Sequence, residues 1–145
     1  MAFRRRASGT WAGDVQTGTG HFSTQSGALK EVPFTLGTRF GDAPGTNPEE
    51  LIAAAHAGCF SMALTAYLGS KNIPSQKIET KAMVEIEPLD GGGFKITRSH
   101  LSVTGTVPGV DKDKFAELAR EAEKTCPVSN ALRGSVQIEL ETSLA

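Results

Sequence analysis

Between Ser8 and Phe40 the apolar residues Phe22, Val32, Phe34, Leu36 and Phe40 stand in short runs broken at Gly18, Gly20 and Gly27. This is the pattern of brief strands joined by glycine turns, and a β-hairpin or meander is expected there. The pattern then changes. Asn47-Pro48-Glu49-Glu50 sets a capping residue, a proline suited to the first helical turn and a carboxylate able to close a capping box ahead of a small and apolar run from Leu51 to Leu68. The spacing predicts a long helix ending at about Gly69, apolar almost all round and therefore buried on most faces.

Beyond Asn72-Ile73-Pro74, Ile78, Thr80, Ala82, Val84 and Ile86 alternate with Lys77, Glu79, Lys81, Met83, Glu85 and Glu87, as in a strand with one wet face. Asp90-Gly91-Gly92-Gly93 turns the chain back. From Phe94 to Val107 the apolar phase moves from even positions (Phe94, Ile96) to odd ones (Leu101, Val103), which predicts a bulge near Ser99. Asp111 caps an amphipathic helix with Phe115, Leu118, Ala119 and Ala122 on its inner face; Cys126 shares that face if the helix reaches it. Pro127 closes this helix and opens a short one through Arg133, stopped by Gly134, and a last strand turns Val136, Ile138 and Leu140 inward. The sum is one α+β domain over residues 1–145, without repeat, linker or low-complexity tract.

Composition narrows the function classes. With 15 Lys+Arg against 16 Asp+Glu the net charge is −1, which disfavours a charge-driven nucleic-acid binder. Two cysteines are too few for a disulfide-stapled scaffold. Arg4-Arg5-Arg6 could open a signal peptide, but Ser8 to Asp14 supplies no apolar stretch after it, so a cytoplasmic protein is expected. The run from Leu51 to Leu68 is mostly alanine with Gly58, Ser61 and Thr65, and gains too little in lipid to be read as a membrane span.

In such a compartment Cys59 and Cys126 are either core residues or a working redox pair. Cys126 directly precedes Pro127, near the amide end of a helix where a thiolate is favoured, whereas Cys59 lies mid-helix and needs a cation such as Arg39 or a protonated His56. Local physics alone therefore picks Cys126 as the nucleophile. His56, three residues before Cys59, could form a Cys/His pair, although a core histidine donating to a backbone carbonyl is the stronger reading. A zinc site from Cys59, Cys126, His56 and either His21 or His100 lacks any short ligand spacing. Arg39, placed in a strand end, and Glu49, in the first helical turn, are each most simply solvated charges. An arginine brought beside a thiolate would nevertheless stabilise it, and a carboxylate would fix that arginine bidentately.

The stretch from Gly45 to Leu64, containing Asn47-Pro48-Glu49-Glu50 and Ala55-His56-Ala57-Gly58-Cys59, followed by Cys126-Pro127-Val128-Ser129, resembles the osmotically inducible protein C family. The resemblance extends from Trp11-Ala12-Gly13-Asp14 through Ser23 to Gly27 and Thr38-Arg39-Phe40 to the last strand. It implies an intertwined α+β homodimer with antiparallel sheets packed around a long central helix. It also implies a thiol-dependent peroxidase acting on organic hydroperoxides, and less well on hydrogen peroxide. Cys59 would be the peroxidatic and Cys126 the resolving cysteine, with Arg39 and Glu49 as a supporting ion pair; this reverses the local choice of nucleophile. The implied cycle needs no cofactor and no metal, and an external thiol or dithiol reopens the disulfide. Asn-Pro-Glu-Glu and Ala-His-Ala resemble this branch more than its sister, the organic hydroperoxide resistance proteins. An apolar collar including Phe60 and Met62 is expected, and Gly58 would leave room beside the thiol at a helix-propensity cost of about 1 kcal/mol.

Two other readings stay open: a small apolar-ligand binding protein with inert cysteines, and a peroxide sensor that oxidises once. The helix spacing bears on assembly as well. Ten residues separate Glu49 from Cys59, which on one helix is about 15 Å along the axis and roughly 80° around it, so the two cannot meet within a subunit. Two copies crossing antiparallel near residue 54, at Ala53, Ala54, Ala55 and Ala57, would bring them together across a dimer.

Overall fold

The glycine-punctuated N-terminal segment does form short strands in the computed structural model, which describes residues 1–145. Two compact units make up the chain, Met1–Leu51 and Ile52–Ala145. In the first, β1 (Ala7–Ala12), β2 (Thr19–Thr24) and β3 (Val32–Phe34) pair antiparallel in that order. Phe22 stacks on Phe34 with ring centroids 4.1 Å apart, and Trp11 tilts against the same ring at 5.5 Å. Gly20 makes this possible, because a Cβ there would stand 2.5 Å from the Phe34 ring.

Residues Leu36–Phe40 correct the sequence reading: they form a short helix, α1, not a strand end. The Thr35 hydroxyl accepts from the Thr38 N–H at 3.2 Å and the Thr38 hydroxyl accepts from the Thr35 N–H at 2.9 Å. This reciprocal cap uses threonine where glutamate is usual, and alternation alone does not reveal it. Asn47 then caps α2 (Pro48–Ser70) as expected, its Oδ1 accepting from the Glu50 N–H at 2.8 Å. Glu50 does not close the box; its carboxylate accepts from the Thr46 hydroxyl at 2.8 Å instead.

In the second unit β4 (Lys77–Pro88) and β5 (Phe94–Thr106) pair antiparallel, and β6 (Gln137–Leu144) lies parallel to β5. The expectation of antiparallel sheets therefore holds for every pair but this one. The chain between β5 and β6 contains α3 (Lys112–Glu123) and α4 (Pro127–Leu132), and such a helical crossover returns the chain in the same direction it left. The bulge falls at Thr97, two residues before Ser99: Glu85 pairs with Arg98 and Ile86 with Ile96, leaving Thr97 over. Beyond it the odd residues Ser99, Leu101 and Val103 turn inward.

Phe60, Leu64 and Leu68 of α2, Leu101 and Val103 of β5, and Phe115, Leu118, Ala119 and Ala122 of α3 form one buried core. α2 is long and apolar enough to cross a membrane by length and composition, yet within one chain only Glu49 and the stripe through His56, Phe60, Leu64 and Leu68 are buried, so the expectation that it is buried on most faces is corrected. α3 stops at Glu123, short of Cys126, because Pro127 withholds an N–H and forces the preceding residue out of helical geometry.

A test of the core lies at Gly105, where an added Cβ would stand 2.5 Å from the Phe115 ring. Gly105→Ala should lower the urea midpoint by an amount equivalent to about 1–3 kcal/mol. Gly69→Ala, with nothing within 4 Å of the new methyl, should cause no loss. Equal midpoints for the two variants would show that the ring moves aside freely.

Candidate active site

Both cysteines belong to the second unit, and the structure brings their thiols together. Cys59 is half-buried and Cys126 has no exposed surface. The Val128 backbone N–H and the Cys126 thiol are the polar groups that act on the Cys59 thiol. Cys126 is the N-cap of α4, its Sγ accepting from the Ser129 N–H at 3.5 Å. The amide end of this helix thus serves both sulfurs. Burial pushes the Cys59 thiol up from its ordinary value, as does Cys126, while the Val128 N–H pulls it down; no cation is among the groups acting on it.

Cys59 opens on a pocket of about 470 Å³ lined by Met62, Ala63, Ala66, Tyr67 and Pro127. Phe60, expected in the collar, is instead wholly buried in the core. Gly58 does not line this pocket, and nothing lies within 4 Å of where its Cβ would be. Met62, Ala63, Ala66 and Tyr67 of this lining stand on the same helix as Cys59, and Thr125 and Pro127 face them from the segment around Cys126.

His56 is fully buried, and both its ring nitrogens are taken. Nδ1 is 2.7 Å from the Ser99 hydroxyl and Nε2 is 2.7 Å from the Ser129 hydroxyl. The core reading of His56 stands, with the correction that its partners are serines rather than a backbone carbonyl. No nitrogen is left for a Cys/His pair. Burial lowers its pKa below the ordinary 6.5; Glu123 opposes this and Arg133 reinforces it. Ser129 belongs to the Cys126-Pro127-Val128-Ser129 motif and Ser99 lies near the phase change of β5, but each becomes a partner of His56 only through the fold.

In the first unit Arg39, on α1, and Glu49, at the start of α2, form a bidentate pair. Arg39 Nη2 donates to Glu49 Oε1 at 2.7 Å and Nε to Oε2 at 3.1 Å. Glu49 is buried and the guanidinium is partly exposed. Asn47 Nδ2 donates to the Thr38 carbonyl at 2.9 Å, which ties the α2 cap to α1 and so holds the two charged residues in reach. No group of three or more His, Cys, Asp and Glu side chains has a metal-binding arrangement.

Residues 41–141 match the family model described as OsmC-like protein. The chain belongs to the OsmC-like family. It is 40% identical over 141 residues to peroxiredoxin OsmC of Escherichia coli (strain K12), covering 97% of this chain and 98% of that one. It is 33% identical over 123 residues to organic hydroperoxide resistance protein OhrB of Bacillus subtilis (strain 168), covering 84% and 88%. The solved OhrB structure from Bacillus subtilis superposes with a TM-score of 0.74 at 32% identity over 94% of this chain and 97% of that chain. A Legionella pneumophila organic hydroperoxide resistance protein OsmC gives 0.76 at 26% identity over 99% and 98%. The mixed α+β fold is that of this family.

The buried imidazole carries a stability signature. With its folded pKa depressed, the folded state binds fewer protons than the unfolded one, so the contribution of His56 is present above pH 6.5 and lost as pH falls below it. The stability advantage of wild type over His56→Gln should shrink between pH 7.5 and pH 5, read from urea midpoints across that range. A constant difference would mean that His56 titrates alike in both states.

Proposed function

We propose that this protein is a thiol peroxidase that reduces organic hydroperoxides in defence against oxidative stress. One observation carries the reading: a half-exposed thiol in an apolar pocket touches a second thiol that has no exposure. A peroxide arriving from solvent meets Cys59 first. This favours Cys59 over Cys126 as the attacking residue, against the choice made from local helix physics. The names of the relatives, a peroxiredoxin and organic hydroperoxide resistance proteins, support the same chemistry.

The Cys59 thiolate attacks the distal oxygen of ROOH; the O–O bond breaks, RO⁻ takes a proton and leaves as alcohol, and Cys59 is left as a sulfenic acid. Cys126 sulfur then attacks Cys59 sulfur. The S–S bond forms as the S–O bond breaks, and the hydroxide leaves with the Cys126 proton as water. An external thiol or dithiol restores both cysteines by exchange. The lining of Met62, Ala63, Ala66 and Tyr67 favours an organic peroxide over hydrogen peroxide. A dithiol pair that must return to the reduced state suits the cytoplasm.

Within one chain burial raises the Cys59 pKa without a cation to oppose it, so the thiolate needs help. We assign that help to a homodimer, in which the Arg39–Glu49 pair of one subunit serves Cys59 of the other. The exposed small residues Ala54, Ala55 and Gly58 on α2 leave a helix face on which a second copy can approach closely.

Cys59→Ser should abolish peroxide consumption. Cys126→Ser should oxidise once and progress to sulfinic acid, visible by mass spectrometry after excess peroxide. Retained turnover in Cys59→Ser would reverse the two roles. Counting free thiols after stoichiometric cumene hydroperoxide separates this reading from an apolar-ligand carrier, which loses none, and turnover with a dithiol separates it from a one-shot sensor.

The dimer has its own test. Arg39→Ala should shift the alkylation profile of Cys59 to higher pH. Co-refolded Glu49→Gln and Cys59→Ser subunits, each inactive alone, should recover roughly a quarter of wild-type activity, because random pairing gives each mixed dimer one intact site. No recovery would place each site within one chain.

A further inference from the structure

His56 is the buried polar group that the peroxidase chemistry leaves unused. A core imidazole is expensive where a leucine would fit, and its two hydrogen bonds offset that cost without repaying it in full. Its value must lie in what the hydrogen bonds fix. Nε2 reaches the Ser129 hydroxyl on α4, and the backbone N–H of the same Ser129 donates to Cys126 Sγ. The other tethers of this six-residue helix run back to α3 and its end: Asn130 Nδ2 donates to the Lys124 carbonyl at 3.1 Å, and Arg133 pairs with Glu123 at 2.8 Å. Besides the Val128 N–H beside the Cys59 thiol, the His56–Ser129 bond ties α4 to α2, the helix that carries Cys59, and it is the one that joins two side chains.

We propose that His56 and Ser129 are positioning residues for the resolving step: their hydrogen bond holds the first turn of α4 so that Cys126 stands against Cys59, and it governs disulfide formation rather than attack on peroxide. The proposal rests on the peroxidatic and resolving roles given above. Attack on ROOH needs only Cys59 and its pocket. Closing the S–S bond needs the Cys126 sulfur in line with the S–O bond that breaks, and α4 sets that line. The neutral ring donates from one nitrogen and accepts at the other, so one serine accepts and the other donates. Ser99, on β5, fixes the ring from the opposite side.

The test separates the two steps in single turnover with cumene hydroperoxide. Loss of hydroperoxide reports attack, and mass spectrometry with dimedone trapping reports sulfenic acid and disulfide. Ser129→Ala should consume the first equivalent within about twofold of wild type but form the disulfide about tenfold more slowly, with trapped sulfenic acid and sulfinic acid accumulating. Two variants of His56 sharpen this. Glutamine places its amide near the Nε2 position and keeps Ser129, whereas asparagine reaches only the Nδ1 side and Ser99. His56→Gln should therefore resolve nearly as fast as wild type, and His56→Asn should behave like Ser129→Ala. A merely structural role would make resolution follow thermal stability rather than which serine is held. Should His56→Asn fail to fold, Ser129→Ala, the loss of one oxygen, still decides. Wild-type disulfide rates in Ser129→Ala would overturn the proposal. If wild type itself forms no Cys59–Cys126 disulfide, the assignment of the two cysteines falls, and this proposal with it.

Discussion

The stripe His56, Phe60, Leu64 and Leu68 repeats every four residues along α2, and all four side chains are fully buried. This stripe fixes the rotation of the helix against β5 and α3, and the thiol site follows from that rotation. Cys59 stands one position off Phe60, about 100° around the helix, so it falls at the border between core and open surface. Ala63, Ala66 and Tyr67 share its flank and line the pocket with it. Met62, about 160° from the stripe, is 78% exposed. A helix turned by one residue would bury the thiol or strand it in solvent without its partner.

The same stripe explains why a histidine sits in the core. At its upper end the core residues opposite α2 are serines rather than aliphatic side chains, and only a two-sided polar group can satisfy both. The imidazole is held neutral by burial and committed at both nitrogens. It therefore cannot act as a base for Cys59, although it is one helical turn away. The amides opening α4 supply a donor to each sulfur, Val128 to Cys59 and Ser129 to Cys126.

Much of this was legible in the sequence, and the failures share one cause. The long helix follows from its Asn47-Pro48 start and an unbroken run of small and apolar residues, and the inner face of α3 and the phase change in β5 follow from periods of 3.6 and 2, which report burial directly. The Arg39–Glu49 pair and the two cysteines came through the family resemblance. What the pattern hid were relations set by tertiary partners: the Thr35–Thr38 box that makes α1 a helix, the parallel pairing of β6, and the serines Ser99 and Ser129. A serine at an inward position in a strand or short helix resembles any small residue until the fold places an imidazole beside it. Phe60 was misplaced for the same reason, since an aromatic residue next to a reactive cysteine can face either the pocket or the core.

The two cysteines differ in the elements that hold them, a helix of 23 residues for Cys59 and the cap of one of six for Cys126. Cys59 is anchored mid-helix by neighbours in a packed stripe. Cys126 caps a helix of six residues, too short to be stable by its own hydrogen bonds and therefore dependent on its tethers. A disulfide demands a narrow geometry in the distance between Cβ atoms and in the torsion about the S–S bond. The fold thus sets one thiol on a long helix packed into the core and the other at the cap of a short, tethered one. Its tethers include Glu123 with Arg133, Lys124 with Asn130 and His56 with Ser129, while Val128 packs against the core.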